Sequence, residues 1–106
     1  FITLCEVSPG IIWAGGFTSG IYKINKNTLS VEYFSPYLLS HVNMRPDKYI
    51  RDIVKDSRGY IWSGGYYNLK CFNLATNSVR LYPGLNSITS IVEKDKDNMW
   101  IGTVGG

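Results

Sequence analysis

The chain has 106 residues, 44 % of them hydrophobic and 14 % aromatic, and a formal net charge of +3. These proportions exclude a disordered segment, and no apolar run reaches the roughly 18 residues that a membrane helix needs. Basic residues are scattered (Lys23, Lys26, Arg45, Lys48, Arg51, Lys94, Lys96) rather than gathered on one stretch, which argues against a nucleic-acid partner.

In chain order, the first segment is "FITLCEVSPGIIWAGG", from Phe1, followed by "GIYKINKNTLSVEYF", from Gly20. Short β-branched and aromatic runs alternate here with turn residues, and no segment carries a sustained helical stripe, so the runs read as strands. A long connection, residues 35–49, comes next. Then the pattern starts again: "IRDIVKDSRGYIWSGG" opens at Ile50 and "NLKCFNLATNSVRLY" at Asn68. After a five-residue connection, "ITSIVEKDKDNMWIGT" opens at Ile88. Aligned on their tryptophans, the copies place Phe1, Ile50 and Ile88 in one column and Leu4, Ile53 and Ile91 in another. Cys5, Val54 and Val92 make a third column, and all three tryptophans, Trp13, Trp62 and Trp100, fill a fourth. Such self-similarity is the mark of a repeat architecture.

Each full copy reads as four strands, here a to d. Adjacent apolar residues on strands a and b (Leu4-Cys5, Ile53-Val54, Ile91-Val92 and Ile11-Ile12-Trp13) point to opposite faces, so both faces must be covered. Strand d alternates instead, as in Val79-Arg80-Leu81, and leaves one face wet. A sheet buried on both sides at one edge and half exposed at the other is a propeller blade read from axis to rim. The chain is therefore expected to be an all-β fragment of a β-propeller of four-stranded antiparallel blades, about two and a half repeats long. Residues 1–49 form the first blade, with an enlarged d–a loop at 35–49. Residues 50–87 form the second and 88–106 the first half of a third. Trp13, Trp62, Trp100, Ile53 and Ile91 are expected in the core. Gly59 and Asn98 are expected at positive φ in the a–b turns. The small residues after each tryptophan suit a crowded inner region. Cys5 and Cys71, at non-equivalent repeat positions, are expected as buried or half-buried thiols rather than a disulfide.

The repeat "I..I..D..G.IW.GT" resembles the two-component regulator propeller repeat. It is carried by "ITSIVEKDKDNMWIGTVGG" and by the run from Ile50 to Tyr82, and the looser first copy has Val7 where Asp56 stands. The resemblance implies the periplasmic, ligand-sensing propeller of a hybrid histidine kinase held in the inner membrane by other parts of the parent chain. It further implies an oligosaccharide ligand, neighbouring blades of the parent as partners, and no catalysis in this segment. A homodimer is a further expected partner. A protein-docking scaffold and a propeller carbohydrate-active enzyme are the alternative readings.

Other motifs fail on spacing. "DKDN" at Asp95 would need a calcium ligand where Met99 stands. Asp56 lies three residues before Gly59, where an Asp-box needs two. "GGFTSG" precedes a strand and lacks the dinucleotide spacing. His41 is the lone histidine, with only Asp47 near it in sequence, so neither metal, cofactor nor catalytic residues are expected. The b–c and d–a connections emerge on one face of a blade. Ligand or partner contacts are therefore expected from Tyr37, His41, Arg45, Tyr66 and Tyr67.

Overall fold

The structure, a computed structural model, describes residues 2–16, 20–34, 49–66, 69–82, 84–85 and 87–104. Among these the chain is all β. Strands β1 (Ile2–Ser8), β2 (Ile11–Gly16), β3 (Ile21–Asn25) and β4 (Val31–Phe34) make one antiparallel meander. A second consists of β5 (Ile50–Lys55), β6 (Ile61–Gly65), β7 (Leu69–Asn73) and β8 (Ser78–Tyr82). Strands β9 (Ile88–Asp95) and β10 (Asn98–Thr103) pair as a two-stranded sheet. These are two four-stranded propeller blades and the inner half of a third.

The core lies between the sheets, in two clusters. Val7, Trp13 and Ile21 of the first blade pack on Ile50, Ile53, Ile61 and Phe72 of the second. The Trp13 and Phe72 rings meet edge to face, 5.1 Å between centroids. Trp62 and Leu69 of the second blade repeat the arrangement on Ile88 and Ile91 of the third. Each tryptophan thus faces the blade that follows its own. β6 lies in the blade that has a described sheet on either side, and every residue of it is buried.

The same logic corrects the expectation that all three tryptophans are buried. Trp13 is 1 % exposed but Trp100 is 61 % exposed. No described strand follows β10, so nothing described covers the face on which Trp100 and its neighbour Val92 stand. Ile53 and Ile91 are buried as expected, because each faces the preceding blade.

One feature of the pattern looks wrong for a strand. Ile50 and Ile53 are three apart, as are Ile88 and Ile91, whereas residues on one face of a strand are spaced by two. Yet all four are buried. The register explains it: pairing with β6 shifts between Ile50 and Asp52, and pairing with β10 shifts between Gly102 and Thr103, opposite Thr89. A bulge at Arg51, and at Thr89 in the next copy, adds one residue and restores both isoleucines to the inner face.

The glycines after the tryptophans make the closest approach between blades. A methyl group on Gly15 would lie 2.5 Å from Ile50 Cγ2, and one on Gly64 would lie 2.6 Å from Ile88 Cγ2. The expected crowding is therefore an inter-blade contact. Asp56 closes the a–b turn of the second blade. Its buried carboxylate accepts the backbone N–H groups of Arg58 and Tyr60 at 3.0 and 2.9 Å and the Trp62 indole N–H at 2.9 Å. Gly59 takes positive φ there as expected. Asn98 does not: the third blade's turn is tighter, with two residues between β9 and β10 against five between β5 and β6. Asn98 begins β10, and its side-chain amide donates to Asp95 Oδ1. Cys5 and Cys71 are free thiols, both half-buried.

Candidate ligand-binding face

The b–c and d–a ends of the blades share one face, as the strand directions require. Tyr49, just before β5, and Tyr66, just after β6, are joined there: the Tyr66 N–H donates to the Tyr49 carbonyl at 3.2 Å. The third blade repeats that bond between the Val104 N–H and the Ser87 carbonyl at 3.0 Å. A cross-blade bond from the Ser87 N–H to the Tyr66 carbonyl, 2.8 Å, links the two pairs. The repeat therefore writes tyrosines in one blade where the next has serine and valine.

Around these four residues lies a cleft of about 480 Å³, lined also by Arg51 and Thr89. The Tyr49 and Tyr66 rings stand 5.9 Å apart at a tilt of 49°. Both are substantially exposed, although the strand residues beside them, Ile50 and Gly65, are buried. The two bulges described above turn Arg51 and Thr89 to the cleft while the flanking isoleucines go to the core. Sequence reasoning missed Arg51 and Thr89 as site residues, but the three-residue isoleucine spacing was a signal that could have found them.

Of the residues expected to make contacts, Tyr66 stands in this cleft. Tyr37, His41, Arg45 and Tyr67 lie outside the described residues. What the described part offers is two aromatic faces, a guanidinium and a hydroxyl around an open depression. That set suits a polar ligand with flat apolar faces.

A larger depression, about 600 Å³, lies beside β10 and is lined by Trp62, Cys71, Arg80, Tyr82, Met99 and Ile101. Its position marks it as structural. It occupies the place over Trp62 that Phe72 and Val79 of β7 and β8 take over Trp13. Burial pushes the Cys71 thiol up to about 11, with the Asp56 carboxylate adding to the effect, so it is no nucleophile near neutral pH. On the opposite face of the molecule, Lys26 pairs with Glu6 at 3.0 Å, and this bond, with the Gly10 N–H, holds the Glu6 carboxyl below its usual range. Among the described residues no group of three His, Cys, Asp or Glu side chains could hold a metal ion.

The family described as "Two component regulator propeller" matches residues 45–67 and 83–105. The chain carries two-component regulator propeller repeats. The two matched stretches are the a–b halves of the second and third blades, together with the connections that enter them. They contain the bulges, the inter-blade glycines, the tryptophans and the Tyr49–Tyr66 and Ser87–Val104 pairs. The repeat thus encodes the blade interface and the cleft rim together, and it is a propeller repeat rather than a catalytic motif. No curated protein matches the chain. No helix among the described residues is long and apolar enough to cross a membrane.

Proposed function

We propose that this propeller segment works as part of the extracytoplasmic, periplasmic sensor of a two-component signalling receptor, without catalysing a reaction itself. It binds an oligosaccharide on its b–c/d–a face. The observation that carries the reading is the pair of bulges at Arg51 and Thr89. They take a polar side chain out of strand register toward the cleft at the point where Tyr49 and Tyr66 stay exposed. A bulge that re-aims a side chain beside an open aromatic pair belongs to a binding surface more than to a packing one. The Tyr49 and Tyr66 rings supply flat apolar faces for pyranose rings, and Arg51 and Thr89 supply directional hydrogen bonds. Tyr37, His41, Arg45 and Tyr67, outside the described residues, are proposed as further contacts.

The test is calorimetric titration of the full receptor's sensor region with the oligosaccharide that a glycan array selects. Tyr66→Ala and Arg51→Ala should each weaken binding about tenfold or more, with the melting temperature held within a few degrees. Replacing residues 35–49 by the five-residue connection "PGLNS" should also weaken it. Full affinity in all three folded variants would place the ligand elsewhere.

A further inference from the structure

The described lining of the Tyr49–Tyr66 cleft carries one sign of charge. Arg51 is its charged residue, and no carboxylate stands beside it there. Apart from the tyrosines, the other polar side chains of that lining are the hydroxyls of Ser87 and Thr89. The acidic residue next in sequence, Asp52, is engaged at the blade interface, where its carboxylate accepts the Ile91 N–H at 2.9 Å. The backbone of the rim pairs with itself. The N–H groups of Tyr66, Ser87 and Val104 donate to the carbonyls of Tyr49, Tyr66 and Ser87. Recognition therefore falls to the side chains.

Those side chains are rich in donors. A guanidinium only donates, whereas a hydroxyl donates or accepts. A neutral sugar presents hydroxyls that both give and take hydrogen bonds, and no side chain of the described lining is a dedicated acceptor. A group that only accepts is the better match. A carboxylate or a sulfate is such a group, and two of its oxygens can take parallel N–H bonds from one guanidinium.

The blade itself does not require the charge. Aligned on the tryptophans, Ile2, Arg51 and Thr89 share one repeat column, so the fold accepts an apolar, a cationic or a hydroxyl side chain there. Arg51 is exposed, and the bulge in β5 keeps it out of the core. In the sequence, the residues leading into Tyr49 add Arg45 and Lys48 against Asp47, so that segment is basic too.

We propose that this cleft selects an acidic oligosaccharide. The Arg51 guanidinium holds a carboxylate or sulfate on one sugar, and the Tyr49 and Tyr66 rings carry the apolar sugar faces. Arg51 is thus the specificity-determining residue. The inference rests on the reading of this face as an oligosaccharide site and adds the sign of the ligand's charge.

An array of paired oligosaccharides tests it on the full receptor's sensor region. Each acidic member is printed beside a neutral counterpart: a uronate beside its methyl ester, a sulfate ester beside the desulfated sugar. The array should select an acidic member, and the pair that holds it shows which oxyanion is read. Calorimetry should find that member bound at least about tenfold more tightly than its counterpart, a preference that shrinks as sodium chloride is raised. Arg51→Gln, with unchanged circular dichroism, should weaken the acidic member alone and bring the pair to nearly equal affinity. If that variant fails to fold, Arg51→Thr, which writes the residue of the next blade at this position, replaces it. Tyr66→Ala should weaken both members alike. Selection of a neutral member overturns the proposal, and so does a preference for the acidic one that survives in the Arg51 variant. In either case, a loss in Tyr66→Ala leaves the face an oligosaccharide site without charge selection. If no oligosaccharide is selected, or Tyr66→Ala and the Arg51 variant both keep full affinity, the sugar-site reading fails and this inference falls with it.

Discussion

Leu29 and Asn77 occupy the same place in the c–d turns of the two complete blades, and both adopt the left-handed conformation, with φ of 60° and 54°. The turns are built alike. Asn25 Oδ1 accepts the N–H groups of Asn27 and Thr28, as Asn73 Oδ1 accepts those of Ala75 and Thr76. Thr28 Oγ1 donates to Ser30 Oγ, and Thr76 and Ser78 share the same hydroxyl bond. The side chains that make these bonds are the same in both turns, but the left-handed residue differs. Asparagine tolerates that conformation, whereas a leucine pays a steric penalty of about 1 kcal/mol and, at 77 % exposed, recovers nothing by packing. Leu29→Asn should therefore stabilise the chain by about 1 kcal/mol, raising the melting temperature by roughly 4–8 °C. An unchanged or lower melting temperature would mean that the turn relaxes without strain. The turn residues were legible in the sequence as punctuation, but that Leu29 takes the left-handed place emerges only from the shared hydrogen-bond scheme.

At the scale of strands, the repeat columns predicted the sheets and their order, because alternation and turn chemistry act locally. Burial was less legible, because it depends on what stands across the interface. Trp62 and Trp100 read alike, yet a following half blade covers one and nothing described covers the other. Similarly, the isoleucine spacing was visible while the bulge that reconciles it with a strand was not, so Arg51 went unassigned. The small residues after each tryptophan read correctly as crowding, and the structure identifies the neighbour. Gly64 and Gly102 are repeat equivalents, but only Gly64 faces a packed isoleucine, with 2.6 Å between its virtual methyl and Ile88 Cγ2. The Ile88 side chain is fixed in the core and would have to move with its strand. Gly64→Ala should cost about 1–3 kcal/mol in urea unfolding, by overpacking. Adding Ile88→Val, which trims the side chain that the new methyl meets, should recover part of that loss. Two losses that simply sum would show that the methyl and the isoleucine do not meet.

Across the whole molecule, each sheet touches only its sequence neighbours, as in other repeat arrays, so stability is the sum of blade terms and interface terms. The middle blade takes part in both interfaces; the outer sheets take part in one each. Polar bonds follow the same rule. The Asp52 carboxylate accepts the Ile91 N–H at 2.9 Å, and Glu93 accepts the Ser57 N–H and hydroxyl at 3.0 and 2.6 Å, all between the second and third sheets. Opening β10 breaks one interface, whereas opening β6 requires both to part. Amide exchange should therefore be slowest in β6 and β7 and faster in β9 and β10, by at least about tenfold, which corresponds to roughly 1.4 kcal/mol of opening free energy. Equal protection of β6 and β10 would mean that the three sheets open as one unit.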